Sequence, residues 1–143
     1  MARETTIAGA QEMIRAGKPF VLGTVDRDGA PQMRWMGGLL LELPLTIYMA
    51  AGADSRKMRQ IRANPRAQLM FQDEDFAHVA TLSGTCEIVE DIATKRRVWD
   101  GIPGCAEHFG GPEDPNFGVI KFVCRRVELL ATSESHEPAV AEM

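Results

Sequence analysis

The chain has 143 residues, 45% hydrophobic and 25% charged, with a net charge of −4, which suits one globular domain with its own core. The acidic balance argues against a duplex nucleic-acid binder, which needs a broad basic surface, and no stretch is apolar for long enough to span a membrane. The amino terminus lacks the features of a secretory leader, and Cys86, Cys105 and Cys124 show no C-x-x-C spacing, so they are expected as reduced, small core residues of a cytoplasmic protein.

In chain order, Thr5 or Thr6 is a candidate cap for a first helix running to about Ala16, with Gly17 as its stop. Ile7, Ala10, Met13 and Ile14 share one face of that helix. Phe20 to Val25 reads as a strand, followed by the turn Asp26-Arg27-Asp28-Gly29, with Gly29 suited to positive φ. A second strand is expected from about Pro31 to Leu41 and a third from Leu45 to Ala51. Ala67 to Gln72 and the longer His78 to Val89 read as further strands, joined by the polar turn Asp73-Glu74-Asp75. Asp91 caps a helix from Ile92 to about Asp100, with Val98 and Trp99 as its anchors. Gly101 to Gly104 breaks it before a short helical piece near Cys105 to Phe109. Phe117 to Leu130 alternates as the last strand. Residues 1–132 are expected as one domain, and the polar 133–143 tail as mobile.

Between the third and fourth strands lies Asp54-Ser55-Arg56-Lys57, opening a short helix that Pro65 ends. Its first turn is cationic, against the sign that free N–H groups and the helix dipole favour. Backbone N–H groups, the Ser55 hydroxyl, the Arg56 guanidinium and the Lys57 ammonium would all suit a phosphate. From this segment alone, a solvated basic face with an ordinary serine cap fits equally well. Trp35, Met33, Met36, Met49 and Met70 could offer polarisable surface to a ring, although core packing is the expected role for most of them.

Strands joined by short turns, with few helices between them, favour an antiparallel barrel over parallel βαβ units. The pattern of strand, Asp-x-x-Gly-x-Pro turn, strand with Arg34, strand ending in small residues, then Ser55-Arg56-Lys57-x-x-x-Ile61-x-x-Asn64-Pro65-Arg66-Ala67-x-Leu69-x-Phe71 resembles the flavin-binding split barrels of the pyridoxamine 5'-phosphate oxidase superfamily. Gly84-Thr85-Cys86-Glu87-Ile88-Val89-x-Asp91, Trp99, His108-Phe109 and Asp114-Pro115-Asn116-Phe117 resemble its general stress protein 26-like branch.

The resemblance implies a mainly β, α+β fold: a six-stranded antiparallel split barrel with short flanking helices. It implies a homodimer with flavin sites at the subunit interface, and FMN as cofactor, with FAD as an alternative. Carried over, Ser55, Arg56 and Lys57 match the phosphate-binding trio, and Arg34 matches the arginine reaching the same phosphate. Trp35 and Met36 match the strand beside the isoalloxazine ring, and Ala50 and Ala51 the strand end near the flavin. Leu39 stands where the oxidase has a lysine contacting flavin and substrate, and Val79 where it has a glutamine. The oxidase's substrate-gripping tyrosine and arginine fall near Arg97 and Gly101, and its C-terminal Arg-x-His segment has no counterpart.

The expected function is therefore a flavin-dependent oxidoreductase of unknown substrate, with a link to stress implied by the resemblance, and not a true pyridoxamine phosphate oxidase. Alternatives are a flavin carrier or sensor without turnover, or a split barrel for F420 or for haem, with His78 or His108 as axial ligand. No catalytic set stands out, and His78, His108 and His136 lack metal-ligand spacing; no metal, nucleic-acid or membrane partner is expected.

Overall fold

The computed structural model describes residues 3–14, 18–131, 134 and 136–143. These form helices α1 (Arg3–Met13), α2 (Arg56–Ala63), α3 (Ile92–Gly101) and α4 (Cys105–His108). The strands are β1 (Phe20–Val25), β2 (Pro31–Met36), β3 (Leu40–Glu42), β4 (Thr46–Gly52), β5 (Arg66–Gln72), β6 (His78–Val89), β7 (Phe117–Ala131) and β8 (Ala139–Glu142). They join in one sheet of order β2-β1-β5-β6-β7-β4-β3, with β8 beside β7. Every pairing is antiparallel. This is the antiparallel split-barrel fold expected, with eight strands in place of the six expected and an open rather than a closed path of strands.

Alternation builds the core. Phe20, Leu22 and Thr24 of β1, Ala67, Leu69 and Phe71 of β5, and Ala80 and Leu82 of β6 all turn inward, and Phe20 stacks on Phe71 at 5.1 Å. A smaller cluster gathers Tyr48, Val89, Val98, Ile102, Cys105, Phe117 and Val119 and fastens α3 and α4 beside β4 and β7. Cys86, Cys105 and Cys124 are buried thiols, and burial pushes Cys86 up to about 12 and Cys124 to about 11.

Four aspartates tie the connections together. Asp26 accepts from the backbone N–H of Asp28 and Ala30, Asp73 from that of His78, Asp91 from that of Thr94 and Asp114 from those of Gly110 and Asn116. Gly29 takes φ 84° in the β1–β2 turn, as its place after Asp28 requires. Gly84 sits at a bulge in β6, where a Cβ would lie 2.0 Å from the Val123 carbonyl oxygen, so only glycine permits the two backbones to approach so closely.

Some expectations give way. The strand expected from Pro31 to Leu41 splits into β2 and β3, because the chain breaks at Gly37-Gly38 and Leu39 turns into the core, 3% exposed. The first helix begins at Arg3 rather than at a threonine cap; Thr6 faces the core, and the Arg3 side chain is fastened to the Glu142 carbonyl. Ala16 and Gly17, expected to end that helix, lie outside the described residues. Within the tail expected to be mobile, Ala139–Glu142 pairs with Arg126–Leu129 as β8, and Arg126 bonds the Glu142 carboxylate at 2.7 Å. That segment has too few residues for its alternation to be read before its pairing partner is known.

Candidate functional site

The α2 helix carries the densest positive charge beside the barrel. Ser55 takes the N-cap backbone conformation, yet its side chain makes no capping bond. Its Oγ is buried and has no hydrogen-bond partner. A buried hydroxyl left unpaired costs free energy, so this atom has bonding capacity that no group among the described residues uses.

The cations around it divide into two sets. Arg59 donates to the Asp54 carbonyl at 2.6 Å and Arg62 to the Ala53 carbonyl at 3.2 Å, so both are spent on the chain leading into α2. Arg56 and Lys57 have no hydrogen bond or ion pair among the described residues. Burial, and then Arg34 nearby, hold the Lys57 ammonium below its usual range. Burial, and then Arg56, hold the Arg34 guanidinium down likewise. Arg34 thus lies near both Arg56 and Lys57, with no carboxylate bonded to any of the three among the described residues.

Arg34 is aimed by neutral acceptors. Its Nη1 donates to Thr24 Oγ1 at 2.7 Å and to the Leu22 and Gln32 carbonyls, and its Nη2 donates to Gln60 Oε1 at 2.9 Å. Thr24 Oγ1 also donates to Gln60 Oε1 at 2.6 Å, closing a buried triangle. Sequence reasoning missed Thr24 and Gln60. The available signal was a threonine at an inward position of β1 and a glutamine on the same face of α2 as the buried Ile61.

Trp35, Met36, Ala50 and Lys57 line one side of a cavity of about 420 Å³, within the range of small-molecule sites. Residues 102–105 and 107–109 also line it. Four of the sequence-selected residues therefore meet here, and Lys57 links this cavity to the cation cluster. Ala51 does not join them: it alternates with Ala50 on β4 and its side chain packs in the core, 6% exposed. The methionines also divide by strand parity. Met36 and Met49 are core, as expected, whereas Met33 (76% exposed) and Met70 (39%) lie outside with Trp35 (66%). Among the described residues no group of His, Cys, Asp and Glu could hold a metal ion, and no helix is long and apolar enough to cross a membrane.

The family model described as pyridoxamine 5'-phosphate oxidase matches residues 8–131. The chain belongs to this family. Among solved structures it is similar to general stress protein 26 from Bacillus anthracis, with a TM-score of 0.79, 22% identity and full coverage of both chains. It is also similar to a Clostridium acetobutylicum protein related to general stress protein 26, with a TM-score of 0.83 and 20% identity, covering 99% of this chain and 97% of that one. At these identities the two structures establish the shared fold. Protein bli-3 of Neurospora crassa is 29% identical over 84 residues, which is 54% of this chain and 40% of that protein's length.

Proposed function

We propose that the protein binds FMN and acts as a flavin-dependent oxidoreductase on a small molecule. The observation that carries this reading is the buried, unpartnered Ser55 Oγ among Arg34, Arg56 and Lys57. A dianionic phosphate would satisfy the hydroxyl and relieve the repulsion between the cations. In this reading Ser55, Arg56, Lys57 and Arg34 hold the phosphate. Trp35 and Met36 and the β4 backbone at Ala50 and Ala51 border the isoalloxazine ring; Ala51 contributes main chain, since its side chain is turned into the core. FAD would be the alternative where the rim admits an adenylate. When bound, the flavin supplies the electron chemistry, while the protein binds, orients and shields it.

True pyridoxamine phosphate oxidase activity is not part of the proposal. Arg97, near the oxidase's substrate-gripping positions, is held by Glu42 and Tyr48, and Leu39 is in the core. The protein is proposed to work as a homodimer with its flavin sites at the subunit interface. Support comes from the outer face of β2, β1 and β5, where the register places Trp35 beside Val21 and Met70, and Met33 beside Gly23 and Gln68. Trp35 belongs both to this apolar face and to the cavity rim, so a second copy seated there would complete the site. Sedimentation should give twice the 15.7 kDa chain mass. Buried thiols without disulfides fit a reducing, cytoplasmic setting.

The test is an absorption titration of the purified protein with FMN, beside Arg56→Ala and Lys57→Ala. Each charge-assisted bond contributes about 1.5–3 kcal/mol, so each variant should lose roughly 10–100-fold in affinity. Absence of FMN binding would sink the reading, and a haem spectrum or F420 binding in its place would redirect it. Flavin binding without reduction by NADH or NADPH would favour a carrier or sensor.

A further inference from the structure

The cavity beside Lys57 has a wall that the proposed flavin contacts do not use. It comprises the α3–α4 connection and α4, from Ile102 to Phe109. This wall is held from behind. Cys105 is buried, Phe109 packs edge-on against Phe117 at 5.3 Å, and Phe117 against Trp99 at 5.2 Å. With its back so anchored, α4 presents Glu107 and His108 to the cavity.

The charge of the cavity follows from which side chains reach it. Lys57, Glu107 and His108 are the charged or titratable groups on its lining besides the buried Cys105 thiol. Lys57 sits on the strand side, with the phosphate cluster. The α3 arginines, which could have supplied positive charge, are turned elsewhere. Arg97 Nη1 meets Glu42 Oε2 at 3.0 Å, its Nη2 meets the Tyr48 hydroxyl at 3.2 Å, and its guanidinium carbon lies 5.2 Å from the centre of the Tyr48 ring. Arg96 is paired with Glu113 at 2.8 Å. A molecule in the cavity would thus meet apolar surface, a carboxylate and an imidazole on the α4 side, and no guanidinium there.

We infer that Ile102–Phe109 is the substrate face of this cavity, and that Glu107 and His108 fit it to neutral or cationic ring compounds bearing hydrogen-bond donors, not to phosphorylated or carboxylated ones. The inference rests on the flavin reading both for its word substrate and for its charge preference, since the flavin phosphate then takes up Lys57 and leaves Glu107 as the charge that a second molecule meets. A carboxylate accepts from amine, amidine or hydroxyl donors and repels an anion. His108 accepts or donates according to its tautomer.

Benzamidine and benzoate, planar and of similar shape but opposite charge, are the probes. Their binding is measured by calorimetry near neutral pH, after a separate FMN titration, on FMN-saturated wild type and on Glu107→Gln. Since Glu107 is exposed, attraction for one probe and repulsion of the other should together favour benzamidine by roughly fivefold. Glu107→Gln should bring the two within about twofold of each other. Benzoate bound as tightly as benzamidine, a ratio unmoved by Glu107→Gln, or no binding of either probe to the FMN-saturated protein would each overturn the inference. If FMN itself fails to bind, the flavin reading falls, and the same ratio on flavin-free Lys57→Met, where Glu107 and His108 are the charged or titratable groups left on the lining besides the buried Cys105 thiol, decides the charge preference independently.

Discussion

Gln60→Leu tests the buried triangle that aims Arg34. Gln60 is 9% exposed and Thr24 2% exposed, and one amide oxygen accepts from both Thr24 Oγ1 at 2.6 Å and Arg34 Nη2 at 2.9 Å. Removing it deletes one neutral bond, worth about 1 kcal/mol, and one bond to a charged donor, worth about 1.5–3 kcal/mol. The leucine regains about 1 kcal/mol through apolar burial beside Ile61. The expected loss is roughly 1.5–3 kcal/mol, a fall in Tm of about 4–10 °C for a chain of this size. FMN affinity should fall too, because Arg34 loses one of the groups that hold its fork. Thr24→Val completes a double-mutant cycle. Removing both partners leaves no stranded hydroxyl, so the double variant should be less damaged than the sum of the singles by about 0.5–3 kcal/mol. Thermal unfolding at one fixed protein concentration gives the stabilities, and an absorption titration gives the affinity. An additive cycle, or a Gln60→Leu protein with unchanged Tm, would refute the view that this triangle is a coupled unit.

Acid should destabilise the protein through its turns. Backbone N–H groups, from Ala30 to Asp26, His78 to Asp73 and Gly110 to Asp114, together with the capping bond from Thr94 to Asp91, hold these four carboxyls below their usual 3.8. A depressed carboxylate contributes stability that is full above its unfolded pKa and is lost as pH falls through its folded one. Urea midpoints should therefore fall as pH drops below 3.8, and Asp91→Asn, which keeps a capping side chain, should make that fall shallower; a flat midpoint in acid would contradict this. Lys57 has the opposite sign: its ammonium is held below the usual 10.5 by burial and by Arg34, so in flavin-free protein it opposes folding at neutral pH, and the penalty fades as pH rises toward 10.5. Lys57→Met should accordingly raise the flavin-free Tm by a few degrees at most, under about 1 kcal/mol for a charge only half-buried, while weakening FMN; a lower flavin-free Tm would mean that Lys57 has a structural partner.

Much of the backbone was legible in the sequence because its signals are local. The short β-rich run Phe20 to Val25 and the longer stretch His78 to Val89 marked β1 and β6 with their observed bounds. Asp91 announced α3 by offering a carboxylate three residues before an N–H that needs one. The cationic turn after Ser55 marked α2 as a candidate anion site. Other features were decided by partners distant in sequence. Gln60 meets Thr24 across 36 residues, and no local pattern links them. Ser55 has the sequence of a helix cap, but tertiary packing left its hydroxyl buried and unpaired. Met33 and Met36 have the same chemistry, yet β2 lies with one outside and the other in the core, a choice made by strand parity against β1. The sequence marked His108 within its family motif and as a haem-ligand candidate but gave no sign of Glu107; they share a cavity because α4, anchored through the Phe109, Phe117 and Trp99 contacts, lies on its lining. The sequence by itself determined most of the strands and helices and which segment gathers positive charge, since propensity, capping and alternation act over a few residues. Only the tertiary structure decided which polar atoms are satisfied, which cations stay unpaired and which side chains share a cavity, because burial and hydrogen bonding depend on the register of strands far apart in the chain.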